Sequence, residues 1–481
     1  MTLRELISKI SYSKCINFKN YEIEDVTENS KAAKSGTVFV TVRGNNFDGK
    51  DFIGEARERG VKVFIREEFV SLEDDETLII VENARKTLAE ISCVLYGECL
   101  SKMKIIGITG TKGKTTTAKI LSSCLSHIGV DSVTISTLGI EYSTYSKEKI
   151  ITENTTPASD IIYRTLKDAY SMGIKVAVIE VSSQALISYR VYGIPFTVCI
   201  FTNFSPDHIG RYEHKTREEY LFAKKSLFSD YGAKIGIINS DDENSEFISC
   251  GMERIITVGK ENASFSVSIL SYSEKTVKFS INGEEFNLSL GGLFNASNAA
   301  FAIVASAVLF AKEVSAFKNA LENINIDGRF ELYELDGKNV IVDFAHNKES
   351  FESVIKSAKK FTRGRIILLF GAVGERSQGR RRELAKTAEA LADFSIITSD
   401  NPGFECPEKI CSEINSHFKD KSKAKIICDR EAAVRFAIEY AEMGDAVLLL
   451  GKGHETFQEI NGKKLPFSER DIIISLGAKK L

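Results

Sequence analysis

Short apolar, β-branched runs alternate with amphipathic helical stretches along the whole chain. The first hundred residues carry such runs at 37–42, 61–65 and 78–81, with helical periodicity over 52–59 and 84–96. Runs of this length bounded by turn residues read as buried strands, and their alternation with helices predicts helices packed on a sheet. A longer series follows, with strands at 105–109, 133–136, 176–181, 198–202 and 235–239 and a helix at 216–228. A hairpin-like stretch then spans 264–290, where Asn282-Gly283 predicts a tight turn. Asn295 and Asn298 open an apolar helix over 299–309. The third series, 340–344, 365–370, 394–398, 425–428 and 446–450, again alternates with helical patterns. The expected fold is α/β in three parts, 1–100, 101–327 and 328–481, the last a second doubly wound unit.

One transition in this pattern carries chemistry. The apolar run 105–109 is followed by Gly110-Thr-Lys-Gly-Lys-Thr-Thr116, and Ala118, Ile120, Leu121, Cys124 and Leu125 then recur at helical spacing. Strand, glycine-rich loop and helix is the context of a phosphate-binding loop. Its backbone N–H groups point at anionic oxygens, Lys114 neutralises phosphate charge, and Thr115 can hold Mg²⁺. The glycine spacing departs from the general pattern, since Ile108 stands where its first glycine belongs. The plain alternative is a structural glycine turn.

Composition narrows the class. At 481 residues the chain is too long for one core. A net charge of −3 argues against a nucleic-acid partner. No apolar run reaches membrane-spanning length and the N-terminus has no apolar signal segment, so a cytoplasmic location without membrane insertion is expected. Nine dispersed cysteines without a Cys-x-x-Cys pair read as reduced thiols.

The predicted strands end in polar residues. In an open parallel sheet ligands collect beyond the carboxyl ends of the strands. That makes Glu180 a candidate metal or water ligand, with a solvated strand end as the alternative. His208 reads equally as a loop histidine, and Lys224 with Lys225 as a solvated helix face. In the third part four such ends cluster: 343–346, 371–376, 400–402 and 451–455. Together they suggest a ligand face on which Arg376 is a natural clamp for a carboxylate or phosphate.

Taken in order, several stretches resemble the Mur ligase family. They are Gly110 to Thr116, Asn154-Thr-Thr-Pro157, Glu180-Val-Ser-Ser183, Thr202 to His208, Gly328-Arg-Phe-Glu331, Asp343-Phe-Ala-His346, Asp400-Asn-Pro402 and Gly451-Lys-Gly-His-Glu455. The first part is similar to that family's uridine-nucleotide domain around Ser30, Gly36 to Val40, Gly44, Asp48-Gly49 and Phe52-Ile53. The resemblance implies three domains: one for the UDP substrate, a central P-loop parallel sheet for ATP, and a C-terminal Rossmann-like domain for the incoming amino acid. It implies an ATP- and Mg²⁺-dependent amide ligase of peptidoglycan synthesis, expected to be a monomer. Such an enzyme adds the third amino acid to UDP-N-acetylmuramoyl-L-alanyl-D-glutamate through an acyl phosphate.

By the same resemblance ATP is expected at Gly110, Thr111, Lys112, Gly113, Lys114, Thr115, Thr116, Asn298, Arg329, Asp343 and His346. The UDP-muramoyl peptide is expected at Ser30, Thr155, Thr156, Ser183, Arg190 and Lys224. Arg376, Asp400, Asn401, Gly451 and Glu455 are expected to hold the amino acid. Thr115, Glu180, His208 and a carbamylated Lys224 are the implied metal ligands, and Lys114, Lys224, His208 and Glu180 the catalytic set.

The sequence departs from the family pattern at Asn29 and Lys31 around Ser30, at Gln184, at Phe344 and at Gly403. Gln184 and the stretch 205–210 are similar to a lysine-adding branch. Diaminopimelate-adding relatives carry Arg where this chain has Gly403, so L-lysine is expected as the third residue, with ornithine and then meso-diaminopimelate as alternatives. Two rivals remain. Folylpolyglutamate synthetase is disfavoured by the N-terminal part and by Asp400-Asn-Pro402. A silent nucleotide-binding sensor or scaffold is disfavoured by the full set Lys114, Thr115, Glu180, His208 and Lys224.

Overall fold

The strand Lys104–Thr109 lies inside a ten-stranded sheet in a computed structural model that describes residues 1–44, 48–143, 149–206, 210, 214–375 and 378–481. Val198–Phe201, Ile235–Asn239, Ile255–Gly259 and Phe265–Tyr272 extend the sheet on one side and Val176–Glu180 and Ser132–Ser136 on the other, each strand parallel to the next. Antiparallel strands finish both edges, Val277–Ile281 with Glu284–Leu288 at one and Gly139–Tyr142 at the other. Successive side chains of a strand point to opposite faces. Ile106 and Ile108 accordingly join one apolar core with the helices Lys114–His127 and Asn295–Phe310, whereas Ile105, Ile179 and Cys199 join another. Six alanines on the buried surface of Asn295–Phe310 let that helix approach the P-loop helix closely.

The stretch expected to be hairpin-like, 264–290, is a three-stranded meander that continues the central sheet. The Asn282-Gly283 turn is present, with φ of +49° and +87°. The other turn carries no glycine or proline signal. It closes through Ser273, whose N–H donates to the Thr276 carbonyl at 2.8 Å.

The first part forms a five-stranded sheet in the order Lys14–Ile16, Thr77–Ile80, Val63–Arg66, Thr37–Val40, Asp25–Thr27, with the first strand antiparallel. Its helix Ala84–Tyr96 shares a continuous core with the helix Ser159–Ser171 of the middle part, through Leu88, Ile91, Ile162 and Leu166. Burial of each such side chain stabilises by about 1.5–3 kcal/mol. Thr27 adds a hydroxyl donated to Asp160 Oδ2 at 3.0 Å, and Arg164 Nη2 donates to the Val26 carbonyl at 2.8 Å. The first two parts are thus bound by an apolar junction.

The third part is a seven-stranded sheet. Ala424–Ile426, Phe394–Ile397, Ile366–Phe370, Ala446–Leu450 and Lys338–Asp343 are parallel, and Glu331–Leu335 and Lys479–Lys480 are antiparallel. It meets the middle part through a Phe294–Phe330 edge contact and ion pairs such as Lys112–Glu349 at 3.4 Å and Arg470–Asp327 at 3.6 Å. Partly exposed pairs of this kind contribute about 0–1 kcal/mol each, so this junction is the looser one. No helix among the described residues is long and apolar enough to cross a membrane.

Candidate functional site

The loop after Lys104–Thr109 is built by two glycines that no other residue can replace without movement. Gly110 has φ of +149°, and a Cβ there would stand 1.9 Å from Thr202 Oγ1. Gly113, with φ of +83°, precedes the helix Lys114–His127, and its Cβ would stand 2.3 Å from Asn298 Oδ1. Asn298, distant in sequence but packed alongside, therefore borders the loop. The end of the neighbouring strand shapes the loop's backbone. Thr111 N–H donates to the Asn203 carbonyl at 2.9 Å, Lys112 N–H to Asn203 Oδ1 at 2.9 Å, and the Thr202 hydroxyl to the Lys112 carbonyl at 2.6 Å. Lys114 Nζ curls over the loop, donating to the Gly110 carbonyl at 2.8 Å and that of Thr111 at 3.0 Å. Thr116 is buried in the first turn of the helix.

Glu180 ends the strand paired with the P-loop strand, opposite Ile108. It is fully buried. Burial pushes its carboxyl pKa up, and the positive charges of Lys114 and Arg329 and hydrogen bonds from Thr137 and Thr115 oppose that shift. Thr137 N–H donates to Glu180 Oε1 at 3.1 Å, and the Thr137 hydroxyl lies 3.2 Å from Oε2. Arg329, from the third part, donates Nη2–H to the Thr115 hydroxyl at 3.2 Å. Its own pKa is lowered by burial, with Asp343, Glu180 and Glu455 opposing. Asp343 in turn accepts the N–H groups of Phe330 and Ala345, each at 2.7 Å, and burial raises its pKa against the charge of Arg329. His346 stands beside Phe344, its Nδ1 2.8 Å from the Phe344 carbonyl. The expected ATP residues of the middle and third parts therefore do converge.

A two-oxygen donor set, the Thr115 hydroxyl and the Glu180 carboxylate, suits Mg²⁺. That ion is commonly held by one or two protein oxygens and completed by water and phosphate. Among the described residues no group of three or more His, Cys, Asp or Glu side chains could hold a metal by itself. The expected ligand His208 lies outside the described residues, as does Arg376.

The expected peptide residues adjoin Glu180. Thr155 and Thr137 hydroxyls are 3.0 Å apart. The Thr156 hydroxyl donates to the Glu180 carbonyl at 2.7 Å, and Arg190 Nη1 donates to the Thr156 carbonyl at 2.8 Å. Ser183 Oγ lies 2.8 Å from His214 Nε2, and the His214 ring packs on Tyr220 with centroids 5.0 Å apart. Lys224 is not on a solvated face. It is 1 % exposed, with its Nζ 4.3 Å from the centroid of Tyr220, whose hydroxyl donates to Thr111 Oγ1 at 3.1 Å. Ser30 stands apart from this group. It is buried in the first part, and its hydroxyl donates to Glu55 Oε2 at 2.6 Å.

A second constellation lies at the carboxyl edge of the third sheet. Gly451, with φ of +113°, lets Asp400 approach so closely that a Cβ would sit 2.6 Å from Asp400 Oδ2. Lys452 is fully buried, donating to Asn401 Oδ1 at 2.8 Å and to Glu455, with Asp400 Oδ1 at 3.9 Å. Asn401 Nδ2 also donates to Glu455 Oε2 at 3.1 Å. His454 packs on Phe344, with a pKa pushed down to about 3 by burial and then by Arg329 and neighbouring cations. The Asp343–Arg329 and Asp400–Glu455 groups are thus joined through the 451–455 loop.

Thr137, His214, Tyr220 and Lys452 belong to this site but were not singled out in the sequence. Thr137 follows a strand end and Lys452 lies inside the 451–455 motif, so the reasoning that found Glu180 and Glu455 reaches them too. His214 and Tyr220 have no local signal, because only the packing of the helix Arg217–Ser229 brings them to Ser183 and Thr111.

Residues 22–95 match the catalytic domain described for the Mur ligase family, 108–306 the Mur ligase middle domain, and 328–453 the Mur ligase glutamate ligase domain. The chain is 38 % identical to UDP-N-acetylmuramoyl-L-alanyl-D-glutamate--2,6-diaminopimelate ligase of Aquifex aeolicus, over 95 % of this chain and 94 % of that protein. It is 33 % identical to the protein of that name in Clostridium tetani, over 98 % of each. A solved structure of a UDP-N-acetylmuramoyl-L-alanyl-D-glutamate--2,6-diaminopimelate ligase is similar with a TM-score of 0.63, at 26 % identity over 94 % of both chains.

Proposed function

The chain belongs to the Mur ligase family, and on that premise we propose that it attaches a diamino acid ending in an ammonium, L-lysine ahead of ornithine, to UDP-N-acetylmuramoyl-L-alanyl-D-glutamate. As a Mur ligase it is ATP- and Mg²⁺-dependent. Residues 1–100 are assigned to the uridine nucleotide, 101–327 to ATP and 328–481 to the amino acid. The convergence of Thr115, Glu180 and Arg329 across the two larger parts supports this division.

In the reaction the γ-carboxylate of D-glutamate takes the γ-phosphoryl group of ATP and ADP departs. The α-amine of the incoming amino acid then attacks the acyl phosphate, forming the amide and releasing phosphate and a proton. Phosphoryl transfer is catalysed chiefly by positioning and charge neutralisation. Mg²⁺ bound at Thr115 and Glu180 would supply charge neutralisation. Lys114 and Arg329 bring fixed positive charge to the same point, and Gly110 and Gly113 let the backbone N–H groups approach the phosphates. Thr155, Thr156, Ser183 and Arg190 orient the peptide beside Glu180, joined by His214 through Ser183. Ser30 is assigned to the uridine end. A carbamylated Lys224 fits its burial against Tyr220, since carbamylation replaces a buried ammonium by a metal-binding carboxylate. His208 and Arg376 are kept in the assignment as a metal ligand and an amino-acid clamp.

Gly403 carries the choice of amino acid. Without an arginine there, a distal carboxylate has no guanidinium at position 403, and the side chain next to that position is the carboxylate of Glu375. A second reading is 2,6-diaminopimelate, the substrate in the printed names of both relatives above, and it is favoured by their similarity over nearly the whole chain. The experiment is phosphate release with ATP and the UDP-muramoyl dipeptide while L-lysine, ornithine and meso-diaminopimelate are offered in turn. Higher kcat/KM with meso-diaminopimelate refutes the first reading and establishes the second. No release with any of them returns the chain to a nucleotide-binding sensor.

A further inference from the structure

We infer that Glu375 is the carboxylate that receives the far-end ammonium of the incoming amino acid, which rests on the acceptor proposed above. Gly403 lies in the left-handed region with φ of +61°. Its backbone is clamped on both sides, donating N–H to the Glu459 carbonyl at 3.3 Å and accepting from Asn461 N–H at 2.7 Å. A Cβ at this position would stand 3.1 Å from Glu375 Oε2. The Glu375 carboxylate therefore lies over the face of residue 403 from which a side chain would project.

Glu375 is also held there. Its φ is +58°, a conformation that an L-residue adopts at a cost. The preceding Gly374 donates N–H to the Asn401 carbonyl at 2.9 Å, and packs so tightly that a Cβ would stand 1.9 Å from the Pro402 carbonyl oxygen. The segment that carries Glu375 is thus locked to the Asp400–Pro402 turn that carries the acceptor site.

Three other carboxylates nearby, those of Asp400, Glu455 and Glu405, are engaged. Asp400 and Glu455 face the buried Lys452 ammonium. Glu405 takes both branches of a carboxylate–guanidinium pair with Arg381 Nη2, at 2.9 and 2.8 Å. Glu459 meets Gly403 through its carbonyl. Glu375 is exposed, and among the described residues no ion pair involves it. An ammonium arriving over Gly403 gains a charge-assisted hydrogen bond from it, whereas a carboxylate meets a like charge.

The test is kcat/KM for L-lysine in wild type, Glu375→Gln and Glu459→Gln at saturating ATP and UDP-muramoyl dipeptide. Glu375→Gln is expected to lose about 10- to 100-fold, carried by the KM for lysine, because one charged hydrogen bond is replaced by a neutral one. The KM for ATP and the melting temperature should stay at wild-type values, since Glu375 is exposed and its segment contacts residues 401–403. A lysine-using enzyme in which Glu375→Gln changes kcat/KM by less than about twofold overturns this inference alone. So does a larger loss in Glu459→Gln than in Glu375→Gln. A wild type that prefers meso-diaminopimelate overturns both the inference and the lysine reading on which it rests.

Discussion

Replacing Lys452 by methionine tests whether the acceptor side of the site is held by one buried cation. Methionine keeps the length and apolar stem of lysine but deletes the ammonium. Lys452 is fully buried, while Asp400 and Glu455 have side-chain exposures of 3 % and 18 %. Removing one partner of a buried pair costs about 3–5 kcal/mol, because the remaining charge stays desolvated. Glu455 is open enough for water to relieve part of that, which puts the loss at the lower end, about 3 kcal/mol. In a unit of this size each kcal/mol lowers the melting temperature by about 2–4 °C, so calorimetry of the full chain should show the third unit melting roughly 6–12 °C earlier. The same change removes one of the two donors to Asn401 Oδ1, the Lys452 ammonium at 2.8 Å, and so should raise the KM for the amino acid about tenfold while leaving the KM for ATP unchanged. Adding Glu455→Gln removes one orphaned charge and should return part of the stability but none of the amino-acid affinity. A Lys452→Met protein with wild-type melting and wild-type amino-acid KM would refute the reasoning, since the carboxylates would then be shown to need no internal cation.

Three further expectations concern other parts of the molecule. Lys114→Ala should lower the rate of phosphate release about a hundredfold or more, since it removes a cation at the transferring phosphoryl group; a change of only a few-fold would make Gly110–Thr115 a structural turn. Lys224→Ala should be nearly inactive and partly restored by a short carboxylic acid in solution, and a fully active variant rules out the carbamate. Asp160, between the first two parts, has its pKa raised from 3.8 to about 6 by burial. Its folded pKa lies above the unfolded value, so its contribution is fully present below pH 4 and is lost as pH rises through about 6, at a cost of no more than about 3 kcal/mol. Asp160→Asn should therefore melt above wild type at pH 8 and lose that advantage at pH 4; an advantage that persists at pH 4 contradicts the assignment.

The parts of this protein that depend on neighbours in sequence were legible from the sequence. The strand, glycine turn and helix at Lys104–His127 needed only a buried run, two left-handed glycines and helical spacing, and the Asn282-Gly283 turn needed only its own two residues. The identity and order of the polar strand ends, Glu180, Asp343, Asp400 and Glu455, could be read because a parallel sheet gathers its ligands at one edge. Segments with no pattern of their own could not. The edge strands Gly139–Tyr142 and Lys479–Lys480 exist because a partner strand supplies their hydrogen bonds, and a two-residue strand has no periodicity to detect. The burial of Lys224, which by spacing is a solvated helix residue, was decided by Tyr220 beside it and by the helices Ser183–Ile187 and Ser245–Ser249 against which Arg217–Ser229 packs. Charge partners were likewise a matter of tertiary approach. Arg329 reaches Thr115 across 214 residues, and Lys452 rather than the substrate neutralises Asp400 and Glu455. Motifs name the residue types a site requires, but Coulomb and desolvation energies depend on separations of a few ångströms, and those separations are set only when distant segments pack together.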